Sequence, residues 1–173
     1  MTTTITVVSG NPRPGSRTLG VAEALARRLA DALPDATVAA PIELAGFAGE
    51  LFAAEHPRAD EALARLAEPG LALIATPAYK GAYTGLLKAF LDLYPAGALG
   101  AVVAVPVVVA GAPAHAVTTD LHLQPVLREL GAALPVAALT VTEAQLGDPG
   151  PVIERWASRG AVDRLARLVA PAA

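Results

Sequence analysis

The sequence predicts an α/β protein in which five parallel strands form a doubly wound sheet with helices on both faces. Apolar runs of strand length alternate with helical patterns along all 173 residues. Two of the runs, residues 71–75 and 101–110, contain no polar side chain, which is typical of strands buried on both faces of a parallel sheet. Right-handed crossovers then favour the strand order 2-1-3-4-5. No low-complexity linker divides the chain, so we expect one domain over residues 1–173.

The five predicted strands are rich in β-branched and apolar residues, and they span residues 5–9, 37–44, 71–75, 101–110 and 134–142. Two of these predicted strands, 37–44 and 101–110, have a proline in their interior. Pro41 favours an edge position for the second strand, and Pro106 implies a bulge or an unpaired position in the fourth. Helical patterns lie between and after the strands, at about 19–33, 58–68, 84–94, 118–131 and 153–169.

Composition and charge exclude several classes of protein. A net charge of −3 and an isoelectric point near 5.6 give no basic surface for nucleic acid and no polybasic face for a membrane. The absence of cysteine excludes disulfides, thiolate metal sites and a cysteine nucleophile. The first residues do not resemble a signal peptide and no stretch is a convincing membrane span, so we expect a cytoplasmic protein. A hydrophobic content of 54% suggests that another subunit covers part of the surface.

A loop rich in Gly, Ser and Arg connects the first strand to the first helix. This order is typical of a phosphate-binding loop, in which helix N–H groups and hydroxyl groups donate to phosphate oxygens. The side chains of Asn11, Ser16 and Thr18 are candidate donors there, and Arg13 or Arg17 would add positive charge. The loop matches neither G-x-G-x-x-G nor the Gly-Lys-Ser/Thr ending of a P-loop. An ordinary βα turn with surface arginines is therefore the alternative.

A second loop, after the third strand, combines turn-forming Pro and Gly residues with two tyrosines and a lysine. In the predicted order the first and third strands are neighbours at the switch point, where open α/β sheets bind ligands. We therefore expect Tyr79 and Tyr83 to contact a ligand rather than only to pack on the sheet, while Lys80 either approaches a phosphate or is solvated. A third loop, which contains Gly111 and His115, follows the fourth strand at the same edge.

The three histidines do not have the spacing of a metal site. His115 and His122 are not placed with acidic residues as metal ligands would be, and His56 lies in an irregular segment next to a proline. We expect all three to be ordinary polar or surface residues, and we predict no metal.

Two of the loops resemble motifs of the NADPH-dependent FMN reductase family. Residues 9–13 (SGNPR) with Ser16 are similar to its Gly-Ser-x-Arg-x-x-Ser phosphate loop. Residues 76–88 (TPAYKGAYTGLLK) are similar to its Thr-Pro-x-Tyr-x-x-x-Tyr-Ser/Thr-Gly-x-x-Lys signature. The resemblance runs over about 5–142 and is greatest for flavin reductases that serve two-component monooxygenases of the alkanesulfonate type. Asn11 stands where the family more usually has Ser.

The resemblance implies a flavodoxin-like fold and an NAD(P)H:FMN oxidoreductase, with FMN and NADPH or NADH as cofactors. By that likeness the first loop holds the FMN phosphate, and residues 77–80 and Gly111 line the isoalloxazine ring. Hydride transfer to flavin N5 needs stacking and exclusion of water, so no catalytic acid or base is expected among the side chains. The predicted cofactor-binding residues are Ser9, Asn11, Arg13, Ser16, Arg17, Thr18, Thr76, Pro77, Ala78, Tyr79, Lys80, Tyr83, Gly111 and His115.

The resemblance leaves the electron acceptor open. The first expectation is a partner monooxygenase that takes the reduced flavin. A quinone, azo-dye or metal-oxyanion reductase with bound FMN would have the same kind of site, and a flavodoxin-type electron carrier would have the same fold. Such carriers tend to be strongly acidic around the flavin, whereas these loops carry Arg13, Arg17 and Lys80.

The helix at 84–94 has leucine and aromatic side chains around more than half of its circumference. One sheet cannot bury all of them, so we predict that this helix packs on a symmetry mate in a homodimer or, as the resemblance suggests, a homotetramer. Lys88 and Asp92 would then meet across a two-fold axis, or else remain solvated. The resemblance also raises a π-bulge near His122, a point that the sequence leaves open.

Overall fold

Parallel strands form one sheet in the computed structural model, which describes residues 2–169: β1 (Thr3–Ser9), β2 (Ala36–Val38), β3 (Ile42–Glu43), β4 (Gly70–Pro77), β5 (Val102–Ala110) and β6 (Leu139–Thr142). The order is β2-β1-β4-β5-β6, and β3 also pairs with β1, beyond the end of β2. The strand predicted at 37–44 is thus two short strands, separated where Pro41 lacks an N–H. Counted as one strand, they confirm the predicted order 2-1-3-4-5.

Helices cover both faces of the sheet: α1 (Arg17–Ala30), α2 (Pro57–Ala67), α3 (Gly85–Leu91), α4 (Pro113–Glu129), α5 (Gly150–Trp156) and α6 (Val162–Val169). Buried side chains of α1, α5 and α6 pack on one face, and those of α2, α3 and α4 pack on the other. All strand pairs are parallel, so the carboxyl ends of the strands lie at one edge of the sheet. No helix within residues 2–169 has both the length and the hydropathy needed to cross a membrane.

Pro106 interrupts the hydrogen bonding of β5 on one side only. Its register with β4 is continuous, with Pro106 opposite Ile74, so there is no bulge. On the other side of β5, the N–H of Ala104 donates to the carbonyl of Ala133 at 2.8 Å. Because alternate residues of a strand face the same neighbour, the nitrogen of Pro106 faces that side too, where it has no hydrogen to donate. The sequence predicts either a bulge or an unpaired position at Pro106, and the structure shows the unpaired position.

The start of β6 follows from this interruption. Pairing between β5 and β6 begins with Val107 opposite Leu139, not at residue 134 as predicted. If the pairing continued one residue earlier, with Pro106 opposite residue 138, the carbonyl of Ala137 would face the nitrogen of Pro106. It accepts instead from the indole N–H of Trp156 at 2.8 Å. A side chain from α5 therefore replaces the missing backbone donor.

The helix predicted at 84–94 ends earlier in the structure, at Leu91, and two other predicted helices differ more strongly. The helix predicted at 118–131 begins at Pro113, a residue whose missing N–H costs nothing in the first helical turn, and it is α-helical past His122 and Pro125. The helix predicted at 153–169 is interrupted by a π-helical segment, Ala157–Ala161. Gly160, at φ 82°, adopts the left-handed conformation there, and this breaks the helix into α5 and α6.

The hydroxyl group of Thr84 connects α3 to the loop that follows β1. It caps α3 by accepting from the N–H of Leu87 at 3.1 Å and donates to the carbonyl of Gly10 at 2.6 Å. The N–H of Gly10 in turn donates to the carbonyl of Ala75 in β4 at 2.8 Å. A Cβ atom on Gly10 would lie only 2.7 Å from that of Leu87, so the close approach requires glycine.

The apolar side chains of α3 are largely buried within one subunit. Leu87, Phe90 and Leu91 are at most 1% exposed, and the half-buried Tyr94 donates its hydroxyl to the carbonyl of Leu63 at 2.6 Å. The sequence-based prediction considers burial by the sheet alone, whereas other elements of the same subunit complete the burial of α3, so this burial does not by itself require a partner. Besides strands of the sheet, buried residues of the segment before α2 and of α4 belong to the same hydrophobic cluster as α3, which the helical pattern alone does not reveal.

Lys88 and Asp92 pair within α3, with the ammonium group 2.6 Å from a carboxylate oxygen. The hydrogen bond to this carboxylate raises the pKa of Lys88. The structure thus pairs the two charges along one helix, an arrangement different from either sequence-based alternative. Self-association itself stays a prediction.

We predict that Thr84→Val lowers the free energy of unfolding by about 2 kcal/mol, because it removes a helix cap and the donor to a buried carbonyl. Urea unfolding followed by circular dichroism measures the change. Thr84→Ser keeps the hydroxyl group and should lose less than about 1 kcal/mol. Equal losses in the two variants would show that the hydroxyl contacts do not stabilise the protein.

Candidate active site

A cleft of about 440 Å³ opens at the carboxyl edge of the sheet, between the loops that follow β1, β4, β5 and β6. Its volume is in the range of small-molecule sites. Strands β1 and β4 are neighbours, so the cleft lies at the predicted switch point. The structure brings together there, from the sequence-predicted set, Asn11, Arg13, Ser16, Arg17, Thr18, Pro77, Ala78, Tyr79 and Gly111.

Internal hydrogen bonds shape the loop after β1. The Asn11 side chain accepts from the N–H of Arg13 at 3.0 Å and donates to the hydroxyl of Thr18 at 3.1 Å, so it holds the loop to the first turn of α1. Ser16 is the N-cap of α1 and accepts from the N–H of Leu19 at 3.2 Å. Asn11 and Thr18 are thus engaged with each other, while the hydrogen of the Ser16 hydroxyl is not used by the cap.

Positive charge lies at this end of the cleft. Arg13 and Arg17 both line it, and α1 presents its N-terminus, which favours anions. Glu143, in the loop after β6, faces Arg17 with 3.9 Å between carboxylate and guanidinium. Since the Arg17 and Glu143 side chains are 71% and 62% exposed, this is a weak ion pair that an arriving anion can displace.

A tight hairpin turn forms the opposite side of the cleft. Tyr79 and Ala82 exchange two backbone hydrogen bonds, of 2.8 and 3.1 Å. Between them Lys80 and Gly81 have φ values of 54° and 76°, the pattern of a type I′ turn, which is unfavourable for lysine and easy for glycine. The N–H of Ala78 donates to β5 at 2.8 Å and fixes the base of the turn. Tyr79 lines the cleft and is 46% exposed.

Two of the predicted residues are buried beneath the cleft. Ser9 and Thr76 are 1% and 0% exposed. The hydroxyl of Thr76 donates to the carbonyl of Pro77 at 3.0 Å and accepts from the N–H of Thr84 at 3.2 Å. Its hydrogen bonds connect the end of β4 to the start of α3, so Thr76 holds the loop in shape.

Three further predicted residues do not line the cleft. Lys80 is exposed at the tip of the turn, and His115 is exposed on α4. Tyr83 is half-buried against the hydrophobic cluster around α3. Burial raises the pKa of the Tyr83 phenol, and the positive charge of Lys88 partly opposes that rise. The turn at 80–81 reverses the chain between the two tyrosines, which separates Tyr83 from Tyr79.

Five residues that line the cleft are absent from the predicted set: Pro14 and Gly15 lie within the predicted phosphate-binding loop, and three others lie outside it. These three are Val109, at the end of β5, and Glu143 and Leu146, which follow β6. The signal for the last two was available: the polar residues after the final strand must fall at the same edge as the other loops when all strands are parallel.

The cleft combines a cationic end with a mostly uncharged end. The cationic end has Arg13, Arg17 and the N-terminus of α1, while Pro77, Ala78 and Gly111 contribute little polarity to the other. Within residues 2–169 no group of three or more His, Asp or Glu side chains is arranged to hold a metal ion. Such a cleft is suited to a flat ring that carries an anionic group.

Comparison with known proteins agrees with this geometry. Residues 3–145 match the profile of the family described as NADPH-dependent FMN reductase. Over 60 residues the chain is 47% identical to an FMN reductase (NADPH) of Escherichia coli K12, a segment that makes up 35% of this chain and 31% of that protein. Over 152 residues it is 34% identical to the NADH-dependent FMN reductase SfnF of Pseudomonas fluorescens Pf0-1, covering 83% of this chain and 79% of the relative.

A solved structure shows the same likeness in three dimensions. The apo form of an NADH:FMN oxidoreductase (EMOB) superposes with a TM-score of 0.81 at 29% identity, covering 99% of this chain and 92% of the other. The family match spans well over half of the chain and includes the loops after β1, β4 and β5. This chain belongs to the NADPH-dependent FMN reductase family.

Proposed function

We propose that this protein is an NAD(P)H:FMN oxidoreductase that reduces FMN with NADPH or NADH and supplies the reduced flavin to a partner monooxygenase. The observation that carries the proposal is the cleft with one cationic and one mostly uncharged end at the switch point. The names of the relatives from Escherichia coli and Pseudomonas fluorescens, both FMN reductases, support the reaction. The monooxygenase partner is proposed from the sequence resemblance.

The cationic end fits the phosphate of FMN. The first helical bond of α1 runs from the N–H of Gly20 to the carbonyl of Ser16 at 3.1 Å, so the N–H groups of Arg17 and Thr18 have no partner within the helix. These N–H groups, the Ser16 hydroxyl and a guanidinium from Arg13 are the donors that we assign to the phosphate.

The uncharged end fits the isoalloxazine ring. Pro77, Ala78 and Gly111 would lie along the ring, and Tyr79 would close one side against water. When bound, FMN supplies the ring that accepts the hydride. The protein side chains then have to position the ring and exclude water, and none of them needs to move a proton. Glu143 lies beside Arg17 and is assigned no acid or base role.

The nicotinamide donor would reach the ring from the open side of the same cleft. The relatives carry both NADPH and NADH in their names, so the proposal includes both nucleotides. Lys80, exposed at the tip of the turn, is then proposed to meet the nucleotide rather than the flavin phosphate.

We expect purified protein to oxidise NADPH, NADH or both at a rate that rises with added free FMN, measured as the loss of absorbance of the reduced nucleotide. Riboflavin should support a lower rate at equal subsaturating concentration, because it lacks the phosphate. An absence of direct nucleotide oxidation in the presence of bound FMN would refute the proposal and indicate a flavodoxin-type carrier.

Tyr79→Ala is expected to raise the dissociation constant for FMN about fivefold or more, because an aromatic contact contributes about 1 kcal/mol beyond its buried area. Tyr83→Ala is the matched control: it removes the same atoms outside the cleft and should change that constant by less than about twofold. Quenching of flavin fluorescence measures both. An equal loss of affinity in the two variants would count against the assigned ring position.

For assembly, we propose a homodimer or homotetramer that includes the segment 84–94. Exposed apolar side chains on α4, Val117 at 58% and Leu121 at 63% exposure, support association of this face of the protein. Sedimentation equilibrium at micromolar concentration should give a mass two or four times the 17.5 kDa of one chain. A single species of 17.5 kDa would overturn the proposal.

A further inference from the structure

The loop after β1 is held by a side chain from a neighbouring strand. The N–H of Gly15 donates to a carboxylate oxygen of Glu43 at 2.8 Å, between residues 28 apart in sequence. Glu43 is the last residue of β3, where it pairs with Ser9, the last residue of β1. Pairing of the two strands therefore places the carboxylate beside the loop that β1 leads into.

No other described hydrogen bond ties residues 11–16 to a part of the protein beyond α1. The remaining bonds join Asn11 to the N–H of Arg13 and to Thr18, and Ser16 to the N–H groups of Leu19 and Gly20 in α1. These bonds fix the two ends of the loop. The exposed middle of the loop is left to the contact between Gly15 and Glu43.

Glu43 reaches this loop from outside the cleft. Gly15 lines the cleft, whereas Glu43 does not. The glutamate instead lines a separate depression together with Pro41, Gly46 and Arg58. Gly15 has φ 59°, a left-handed conformation that gives the loop its turn, and the bond to Glu43 fixes the peptide N–H at that turn.

We propose that Glu43 is a positioning residue for the FMN phosphate: by accepting from Gly15, it holds the loop in its binding conformation before the ligand arrives. This inference rests on the proposed function. Ordering the loop in advance lowers the entropic cost of binding. This role needs only a hydrogen-bond acceptor for the N–H of Gly15. The negative charge of Glu43 does not help, because a carboxylate repels a nearby phosphate. A neutral amide oxygen at the same place should therefore serve at least as well.

Two substitutions separate the acceptor from the charge. Glu43→Gln keeps an acceptor oxygen, and Glu43→Met keeps the length of the side chain without one. We expect Glu43→Met to raise the dissociation constant for FMN about three- to tenfold, the range for loss of one exposed hydrogen bond. Glu43→Gln should match or exceed the wild-type affinity. Neither variant should change the affinity for riboflavin by more than about twofold, since riboflavin has no phosphate.

Hydrogen–deuterium exchange without flavin gives a second, independent readout. The amides of Arg13, Gly15 and Ser16 should exchange faster in Glu43→Met than in wild type and Glu43→Gln. Equal FMN affinities of the Met and Gln variants, or an equal loss of riboflavin affinity, would overturn the inference. If wild type itself does not bind FMN, the proposed function fails, and the exchange experiment still decides whether Glu43 orders the loop. Unchanged exchange in a folded Glu43→Met variant would also overturn the inference about Glu43.

Discussion

The contact between the Thr84 hydroxyl and the Gly10 carbonyl sets the geometry on which the cleft depends. It joins the end of β1 to the start of α3 at 2.6 Å, and the missing side chain of Gly10 is what permits this distance. Thr76, near the end of β4, extends the same network by accepting from the N–H of Thr84. The loop after β1 and the loop after β4 are therefore parts of one hydrogen-bonded unit rather than two independent surface segments. A ligand that spans both meets a preformed site.

Polar residues around the cleft fall into two groups with different roles. Asn11 and Thr76 have their hydrogen-bonding groups engaged within the protein, and they give the loops their shape. Arg13, Arg17 and Tyr79 line the open volume and are available to a ligand. Residue type in a motif does not separate these groups, because both contain good hydrogen-bond formers. For a reaction whose electronic chemistry comes from a cofactor, the shaping residues matter as much as the contacts.

The strand order, the switch point and most of the cleft follow from the sequence, because long apolar runs and the loops after them are local signals. The sequence does not reveal effects that arise between distant segments. Pro106 sets the start of β6 through a neighbouring strand, and packing by several elements buries α3. The turn that separates Tyr83 from Tyr79 depends on the positive φ of Lys80, which the residue type does not indicate. Glu143 could have been predicted, because in a parallel sheet the residue that follows the last strand lies at the same edge as the other loops.

Trp156 is the single tryptophan of the chain. Its indole N–H donates to the carbonyl of Ala137 in place of the N–H that Pro106 lacks. The Trp156 ring is 8% exposed and packs with α5 against the edge of the sheet, on the cluster that contains α1 and α6. The ultraviolet emission of the protein therefore comes chiefly from one chromophore at one known position. A change in its wavelength records whether α5 stays docked on β6. Intrinsic fluorescence is thus an optical probe of the last part of the fold, distinct from the visible absorbance of a flavin in the cleft.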